Sequence, residues 1–196
     1  MTNFYICDTI AKRLLDMKLF RLLPLFVIAV LALTFQACND DDPEPENEEE
    51  LITTFTITLE PESGGAAVVL SFVDLDGDGG NPPVITGGTL QAGETYEAEV
   101  ELLNESVTPA EDITEEISEE ADEHLFCYTP EGVDVAITRT DSDGTYEIGI
   151  ESRWITGTTT GSGTVNVVLK HQPGAKDGTC GPGDTDIEVD FPVEIE

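Results

Sequence analysis

Apolar and polar residues alternate along much of the chain after residue 51, which is the pattern of β-strands that bury one face. The pattern is plainest near the C-terminus. There the apolar positions are Ile187, Val189, Phe191, Val193 and Ile195, and acidic residues fill most positions between them. The same period of two recurs at residues 51–59, 96–102, 133–137, 146–151 and 165–169. Each of these segments is predicted to be a strand.

Two further segments bring the count to about eight strands. Residues 66–73 are apolar on both faces, which is typical of a central strand, and residues 124–128 form a short apolar run. Gly, Pro, Asp and Asn separate the segments and supply turns. The sequence therefore predicts a mostly β protein: a single antiparallel β-sandwich of about seven or eight strands with one short helix.

The spacing of Leu90, Gly93 and Tyr96 is that of a tyrosine corner, in which the tyrosine hydroxyl bonds back to nearby backbone. This spacing resembles immunoglobulin-like and fibronectin-type sandwiches, and the resemblance implies that the predicted sandwich is immunoglobulin-like. The one predicted helix begins at a capping box, Thr108 to Glu111, with proline at its first position. Its apolar stripe is narrow, so we expect a helix over roughly residues 109–122 that lies on the sandwich.

The N-terminal part of the chain has the layout of a secretory signal, assigned here to residues 1–37. Lys18 and Arg21 precede an apolar run over residues 22–35, and the small residue Ala37 follows. The run is shorter than the roughly 20 apolar residues of a spanning helix, although a permanent anchor is an alternative. Residues 17–21 also look like a natural beginning, which makes Met17 an alternative start.

Cys38 is predicted to be the first residue of the mature protein and to carry lipid. The junction resembles the lipobox of bacterial lipoproteins through Ala37, whereas Phe35 and Gln36 depart from that pattern. The alternative is an ordinary signal peptide in which Cys38 is a free or disulfide-bonded thiol. Residues 40–50 are acidic, contain prolines and lack apolar side chains. We expect residues 38–50 to form an extended, disordered tether and residues 51–196 to form one domain.

The acidic character continues through the whole chain, whose formal net charge is −33. Such a charge repels phosphate backbones, which are bound by clustered Lys and Arg. Nucleic-acid binding is therefore excluded, while cations are favoured.

Four cysteines are present, and their positions divide them. Cys7 lies in the predicted signal segment and Cys38 at the lipid junction, which leaves Cys127 and Cys180. In an oxidising compartment, a remaining pair suggests a disulfide. The alternative is two unpaired thiols.

A calcium loop is the best chemical candidate. Asp74, Asp76 and Asp78 alternate, and Gly79 stands at the sixth position, as in the first half of an EF-hand loop. The match ends at position twelve, where Ile85 replaces a bidentate Glu. The alternative is a glycine-rich turn in which the aspartates cap their own backbone.

Other polar clusters have ordinary structural explanations. The acids of residues 115–123 are expected to form a solvated helix face, and His124 and His171 show no metal-ligand spacing. Trp154 is expected in the core; the alternative is an exposed ring that stacks on a sugar, in a region that also contains Tyr146. The sequence contains no nucleophile elbow, phosphate loop or dinucleotide fingerprint, and we expect no enzymatic activity.

Taken together, the chain resembles small Bacteroidota cell-envelope lipoproteins of unknown function. The segments that carry this resemblance are the Cys38 junction with its acidic tether and residues 75–80, 102–106, 109–117, 122–124 and 183–189. Some such proteins are named after a type 1 periplasmic-binding fold, which needs two lobes rich in βαβ units, whereas this chain predicts one helix.

The resemblance implies an outer-membrane lipoprotein that is exposed at the cell surface. The expected function is a lipid-anchored binding or adhesion module, assisted by calcium if the loop binds it, with an unknown protein or glycan as ligand. The alternative is a structural or assembly subunit of an outer-membrane complex.

Overall fold

Two β-sheets packed face to face make up the part of the chain that the computed structural model describes, residues 51–77 and 80–196. One short helix, α1 (Ile113–Glu119), accompanies them. The strands are β1 (Thr54–Pro61), β2 (Val68–Val73), β3 (Val84–Thr86), β4 (Gly88–Leu90), β5 (Thr95–Asn104), β6 (Glu111–Asp112), β7 (His124–Glu131), β8 (Val135–Arg139), β9 (Glu151–Thr156), β10 (Gly161–His171) and β11 (Asp184–Ile195).

The first sheet has seven strands in the order β3-β2-β1-β5-β9-β8, with β6 paired to β5 beside this path. The second sheet has four strands in the order β4-β11-β10-β7. Every pairing is antiparallel except that of β4 with β11. The predicted fold class, a mostly β antiparallel sandwich with one short helix, is confirmed.

From β4 onward, the strand pairing is that of an immunoglobulin domain. The order β5-β9-β8 in one sheet and β7-β10-β11 in the other corresponds to the B-E-D and C-F-G orders of constant-type domains. Strands β1, β2 and β3 extend the first sheet on the side where strand A would lie. The described residues hold eleven strands, against the seven or eight predicted, because the short strands β3, β4 and β6 were not predicted, whereas β1 and β2 correspond to the segments predicted at residues 51–59 and 66–73.

The core lies between the sheets, where the alternating strands bring their apolar faces together. Phe55 of β1 is fully buried and packs edge-on against Phe191 of β11, with ring centroids 5.3 Å apart. Trp154 of β9 is also fully buried, and its Nε1–H donates to the hydroxyl of Ser152 over 3.0 Å. The expectation that Trp154 packs in the core is therefore confirmed, and the exposed-ring alternative is wrong.

The predicted tyrosine corner is present where the chain crosses from one sheet to the other. Tyr96 is 1% exposed, and its hydroxyl accepts a hydrogen bond from the backbone N–H of Gln91 over 2.8 Å. Gly93 has φ of 72°, a conformation that favours glycine, which allows the sharp bend between β4 and β5. In antibody domains this corner precedes strand F, whereas here it precedes the counterpart of strand B.

The helix begins later and ends earlier than the predicted range of roughly 109–122, since α1 spans Ile113–Glu119. Glu111 and Asp112 pair with Asn104 and Leu103 as β6, so they cannot form the first helical turn. Asp112 caps α1 instead, because its side chain accepts from the backbone N–H of Glu115 over 3.2 Å. The pairing with β5 thus takes precedence over the local capping signal.

One predicted strand is mostly a turn. Residues 146–150 alternate in polarity, but the Asp141 carboxylate accepts the backbone N–H groups of Gly149 and Ile150 over 2.7 and 2.9 Å. A side chain therefore occupies donors that a neighbouring strand would otherwise use, and β9 starts only at Glu151.

Substitution of Tyr96 by Phe is expected to destabilise the domain by about 1–2 kcal/mol, because the Gln91 N–H then loses its acceptor away from bulk water. Urea unfolding of the purified protein measures this. Tyr146→Phe is the matched control, since Tyr146 is 38% exposed, and its effect should stay within about 0.5 kcal/mol. Equal effects of the two substitutions would contradict a stabilising corner.

Candidate functional site

Some of the predicted site residues lie outside the described residues. These are Cys38, its signal segment and tether, and Asp78 of the predicted calcium loop. Lipid attachment at Cys38 therefore stays a prediction. Within residues 51–77 and 80–196, no helix has the length and apolar character needed to cross a membrane.

The described part of the predicted calcium loop uses its carboxylates on its own backbone. Asp74 Oδ1 accepts the N–H of Gly77 over 3.0 Å. Asp76 Oδ2 accepts both the backbone N–H and the side-chain amide of Asn81, over 3.0 and 2.7 Å. These bonds, the backbone one first, lower the pKa of Asp76. Ile85, at position twelve, pairs with Phe72 between β3 and β2. The geometry fits the self-capping alternative, and calcium binding stays a prediction.

The predicted disulfide is present between Cys127 and Cys180, whose Cα atoms are 6.1 Å apart. Cys127 lies in β7, and Cys180 lies in the connection from β10 to β11. The bridge therefore ties this connection to the adjacent strand. In the chain-entropy description, closing a loop of 53 residues stabilises the fold by roughly 4 kcal/mol.

Three long connections meet at one end of the sandwich. They comprise residues 105–123, 140–150 and 172–183, and we call the surface that they form the loop end. The Cys127–Cys180 bridge fixes the third of them to β7. Arg139 reinforces the same region, because its Nε donates to the carbonyl of Phe126 over 2.6 Å and its Nη1 lies 3.2 Å from Glu147 Oε2.

A buried ion pair joins all three connections. Lys176 Nζ lies 2.9 Å from Asp143 Oδ2 and donates to the carbonyl of Ala121 over 2.6 Å. The side chains of Lys176 and Asp143 are only 3% and 8% exposed. The hydrogen bond from Lys176 is the main reason why the pKa of Asp143 falls to about 2. The loop end is therefore held together by a charge-assisted bond as well as by a disulfide.

The two histidines face each other at the loop end, a juxtaposition that sequence reasoning missed. His124 of β7 and His171 of β10 occupy opposite positions in the pairing of these strands. Their rings are stacked, with centroids 4.7 Å apart and an interplanar angle of 9°. The signal that could have revealed them is the register of β7 against β10, which depends on residues 47 positions apart in the chain.

The protonation of His124 follows from its surroundings. It is 1% exposed, and its Nδ1 lies 3.2 Å from the carbonyl oxygen of Glu120. Burial is the main cause that lowers the pKa of His124, and the charges of His171 and Lys176 act in the same direction. His171 Nε2 lies 3.4 Å from Glu123 Oε2. One ligand atom from each of Glu120, His124 and His171 lies within 4.8 Å of the others.

The acids along α1 are exposed as predicted, whereas Glu123, which the prediction placed on the same helix face, lies beyond α1 and is partly buried. Glu115, Glu116, Glu119 and Glu120 are exposed, which is the solvated face expected of them, while Ile113 and Ile117 are buried.

Comparison of this chain with protein families, with curated proteins and with solved structures finds no match.

Replacement of Lys176 by Met is expected to cost about 3 kcal/mol at neutral pH, because it leaves the Asp143 carboxylate buried without its cation. Lys170→Met removes the same charge from an exposed hydrogen bond to Thr185, and its cost should stay below about 1 kcal/mol. Urea unfolding compares the two. Similar costs would contradict the role assigned to the ion pair.

The Lys176–Asp143 ion pair also predicts that the stability of the fold depends on pH. The pKa of Asp143 falls from 3.8 to about 2 on folding, so its contribution is complete above about pH 4 and is lost as the pH falls towards 2. The stability difference between wild type and Asp143→Asn should therefore shrink over this range. A difference that is constant between pH 5 and pH 2 would rule out the pairing.

If the Asp74–Asp76 loop binds calcium, calorimetry should show heat on addition of Ca²⁺, and a chelator should lower the melting temperature. Asp76→Asn should abolish both effects, whereas Asp177→Asn, an exposed aspartate outside the loop, should not. Absence of heat in wild type would leave the loop as a self-capped turn.

Proposed function

We propose that this protein is a lipid-anchored, non-enzymatic binding module at the cell surface that recognises its ligand through the loop end. The lipid anchor and the sandwich would have separate roles. Lipid on Cys38 and the acidic tether would hold the domain at a membrane, and the sandwich would present a rigid set of connections. Long connections on a rigid scaffold are where binding residues concentrate.

The observation that carries the proposal is the position of Tyr146. Its side chain is 38% exposed, whereas Tyr96, Trp154 and Phe191 are buried. The Tyr146 ring lies so close to Gly178 that a Cβ there would be 2.9 Å from the ring. The ring is thus supported by the connection that the disulfide anchors. A tyrosine held in this way offers a large contact area at a low entropic cost, which favours binding.

Charge limits the class of ligand. The chain carries 41 acidic and 8 basic residues, and four of the basic residues lie before Cys38. Anionic ligands would be repelled over most of the surface. We therefore propose a neutral glycan or a neutral or basic protein segment as the ligand. The non-enzymatic character is part of the proposal, since the acids of α1 are exposed to solvent, whereas acid–base catalysis by paired carboxylates needs a cleft.

The anchor is tested in intact cells that produce the full chain. We expect wild type to fractionate with membranes, to carry the mass of lipid and to be removed by external protease, and Cys38→Ser to be released in soluble form. Cys7→Ser serves as the matched control and should behave like wild type. Identical fractionation of Cys38→Ser and wild type would contradict lipid anchoring.

The binding surface is tested with purified protein on arrays of neutral oligosaccharides and of Lys- and Arg-containing peptides. Tyr146→Ala should reduce a specific signal at least tenfold while the protein remains folded at the temperature of the assay. Thr159→Ala, exposed in the connection between β9 and β10, should leave it unchanged. A signal that survives Tyr146→Ala would contradict binding through the loop end.

A second candidate, the assembly subunit, is favoured by a separate observation. Large apolar side chains are exposed near the end where the chain joins the sandwich, and these are Leu51, Leu75, Val84, Ile85 and Val107. Thr54 pairs with both Val73 and Leu103, which places the neighbouring segments at this end. Cross-linking in cells followed by purification would show a defined membrane partner for this candidate, with array binding absent.

A further inference from the structure

We propose that Glu120, His124 and His171 form a binding site for a divalent transition-metal ion of the zinc class. The site does not rest on the proposed function, because it uses neither Tyr146 nor the lipid anchor. It is also distinct from the Asp74–Asp76 loop, whose oxygen donors suit calcium.

Strand pairing places the two histidines side by side. Strands β7 and β10 pair His124 directly with His171. The adjacent residue Gln172 donates its backbone N–H to the backbone carbonyl oxygen of Glu123 over 2.6 Å. The histidines therefore occupy a position between backbone hydrogen bonds, where opposite side chains lie closest in an antiparallel pair. Two imidazoles are brought together by strand pairing rather than by sequence spacing.

The donor set of the proposed site consists of two histidines and one glutamate. Two imidazole nitrogens and one carboxylate oxygen are the three protein ligands of many zinc sites, with a fourth position left for water or another group. The carboxylate of Glu123, 3.4 Å from His171 Nε2, is near enough to orient that ring. Imidazole ligands favour zinc, copper and nickel over calcium, which takes oxygen ligands.

The backbone carbonyl of Glu120 fixes the orientation of the His124 ring. A carbonyl oxygen can only accept, so the contact of Nδ1 with the Glu120 carbonyl over 3.2 Å assigns the proton to Nδ1. Nε2 then carries the lone pair. Metal-bound histidines commonly donate their other N–H to a backbone carbonyl in this way, which fixes the tautomer and the ring.

Metal binding requires the ligand side chains to move. One ligand atom from each of the three residues lies within 4.8 Å of the others, whereas a tetrahedral zinc site brings its ligands to about 3.4 Å. The parallel rings must also tilt, since a metal ion lies in the plane of each imidazole that binds it. Glu120 is exposed and the side chain of His171 is 15% exposed, so both can adjust around the buried His124.

The charges around the site favour a cation on balance. Glu119, Asp122 and Glu123 lie in the same connection as Glu120. Lys176 opposes a cation, but its ammonium group pairs with Asp143 at 2.9 Å. A bound ion would join the end of α1 to β7 and β10, and so would stiffen the loop end.

The test is a titration of Zn²⁺ into the chelator-treated, full-length protein, followed by calorimetry and by thermal unfolding. Wild type should bind one ion, and its melting temperature should rise with Zn²⁺. His171→Asn and Glu120→Gln should each weaken binding at least tenfold. Both side chains are at least partly accessible, so these variants should fold without metal, whereas a His124 variant is less informative because that ring is buried.

Glu119→Gln and Asp76→Asn are the matched controls. Each removes one exposed carboxylate outside the proposed donor set, and each should keep zinc binding within about twofold. Absence of saturable Zn²⁺ binding in wild type would overturn the proposal and leave the histidine pair as a structural stack. Binding that is unchanged by His171→Asn would overturn it equally, and loss of binding in Asp76→Asn would move the site to the other loop.

Discussion

The register of β10 between β7 and β11 is the constraint on which the loop end depends. Val167 lies opposite Tyr128 on one side and Val189 on the other, and this alignment keeps the apolar face of β10 towards the first sheet. A shift by one residue would turn every side chain of the strand to the opposite face. The same register ends β10 at His171, opposite His124. The histidine stack is therefore a consequence of how the core aligns its central strand.

The few basic residues of the domain have specific partners. After residue 51 the chain holds Arg139, Arg153, Lys170 and Lys176, and each contacts an oxygen of another residue. Arg153 lies between Glu62 and Glu97 on the outer face of the first sheet, where it relieves repulsion among exposed acids. Lys176 is different because it is buried, so its pairing with Asp143 has more influence on stability.

Anchoring, ligand binding and metal binding would use different parts of one molecule. The lipid on Cys38 would determine where the domain is, Tyr146 would provide a contact surface, and a metal ion at the histidine pair would stiffen the connections on which Tyr146 depends. The exposed ring of Tyr146 lies against Gly178, and Gly178 belongs to the connection that Lys176 and Cys180 anchor. A ligand bound at Tyr146 would therefore be coupled to the rigidity of this connection through direct contacts.

The sequence by itself determined the features that depend on local pattern. Alternation identified β5, β10 and β11, the Leu90–Tyr96 spacing predicted the tyrosine corner, and elimination among four cysteines predicted the disulfide. These three predictions succeed because a period of two, a short spacing and a count can all be read without knowing which strands are neighbours.

Only the tertiary structure decided the rest. It moved the helix start to Ile113, because β5 pairs with Glu111 and Asp112. It also brought His124 and His171 together and placed Lys176 between Ala121 and Asp143. Each of these contacts joins residues that are distant in sequence or overrides a local preference. The physical reason is the same throughout: strand pairing and burial are satisfied for the whole chain at once, and local signals yield where they conflict with them.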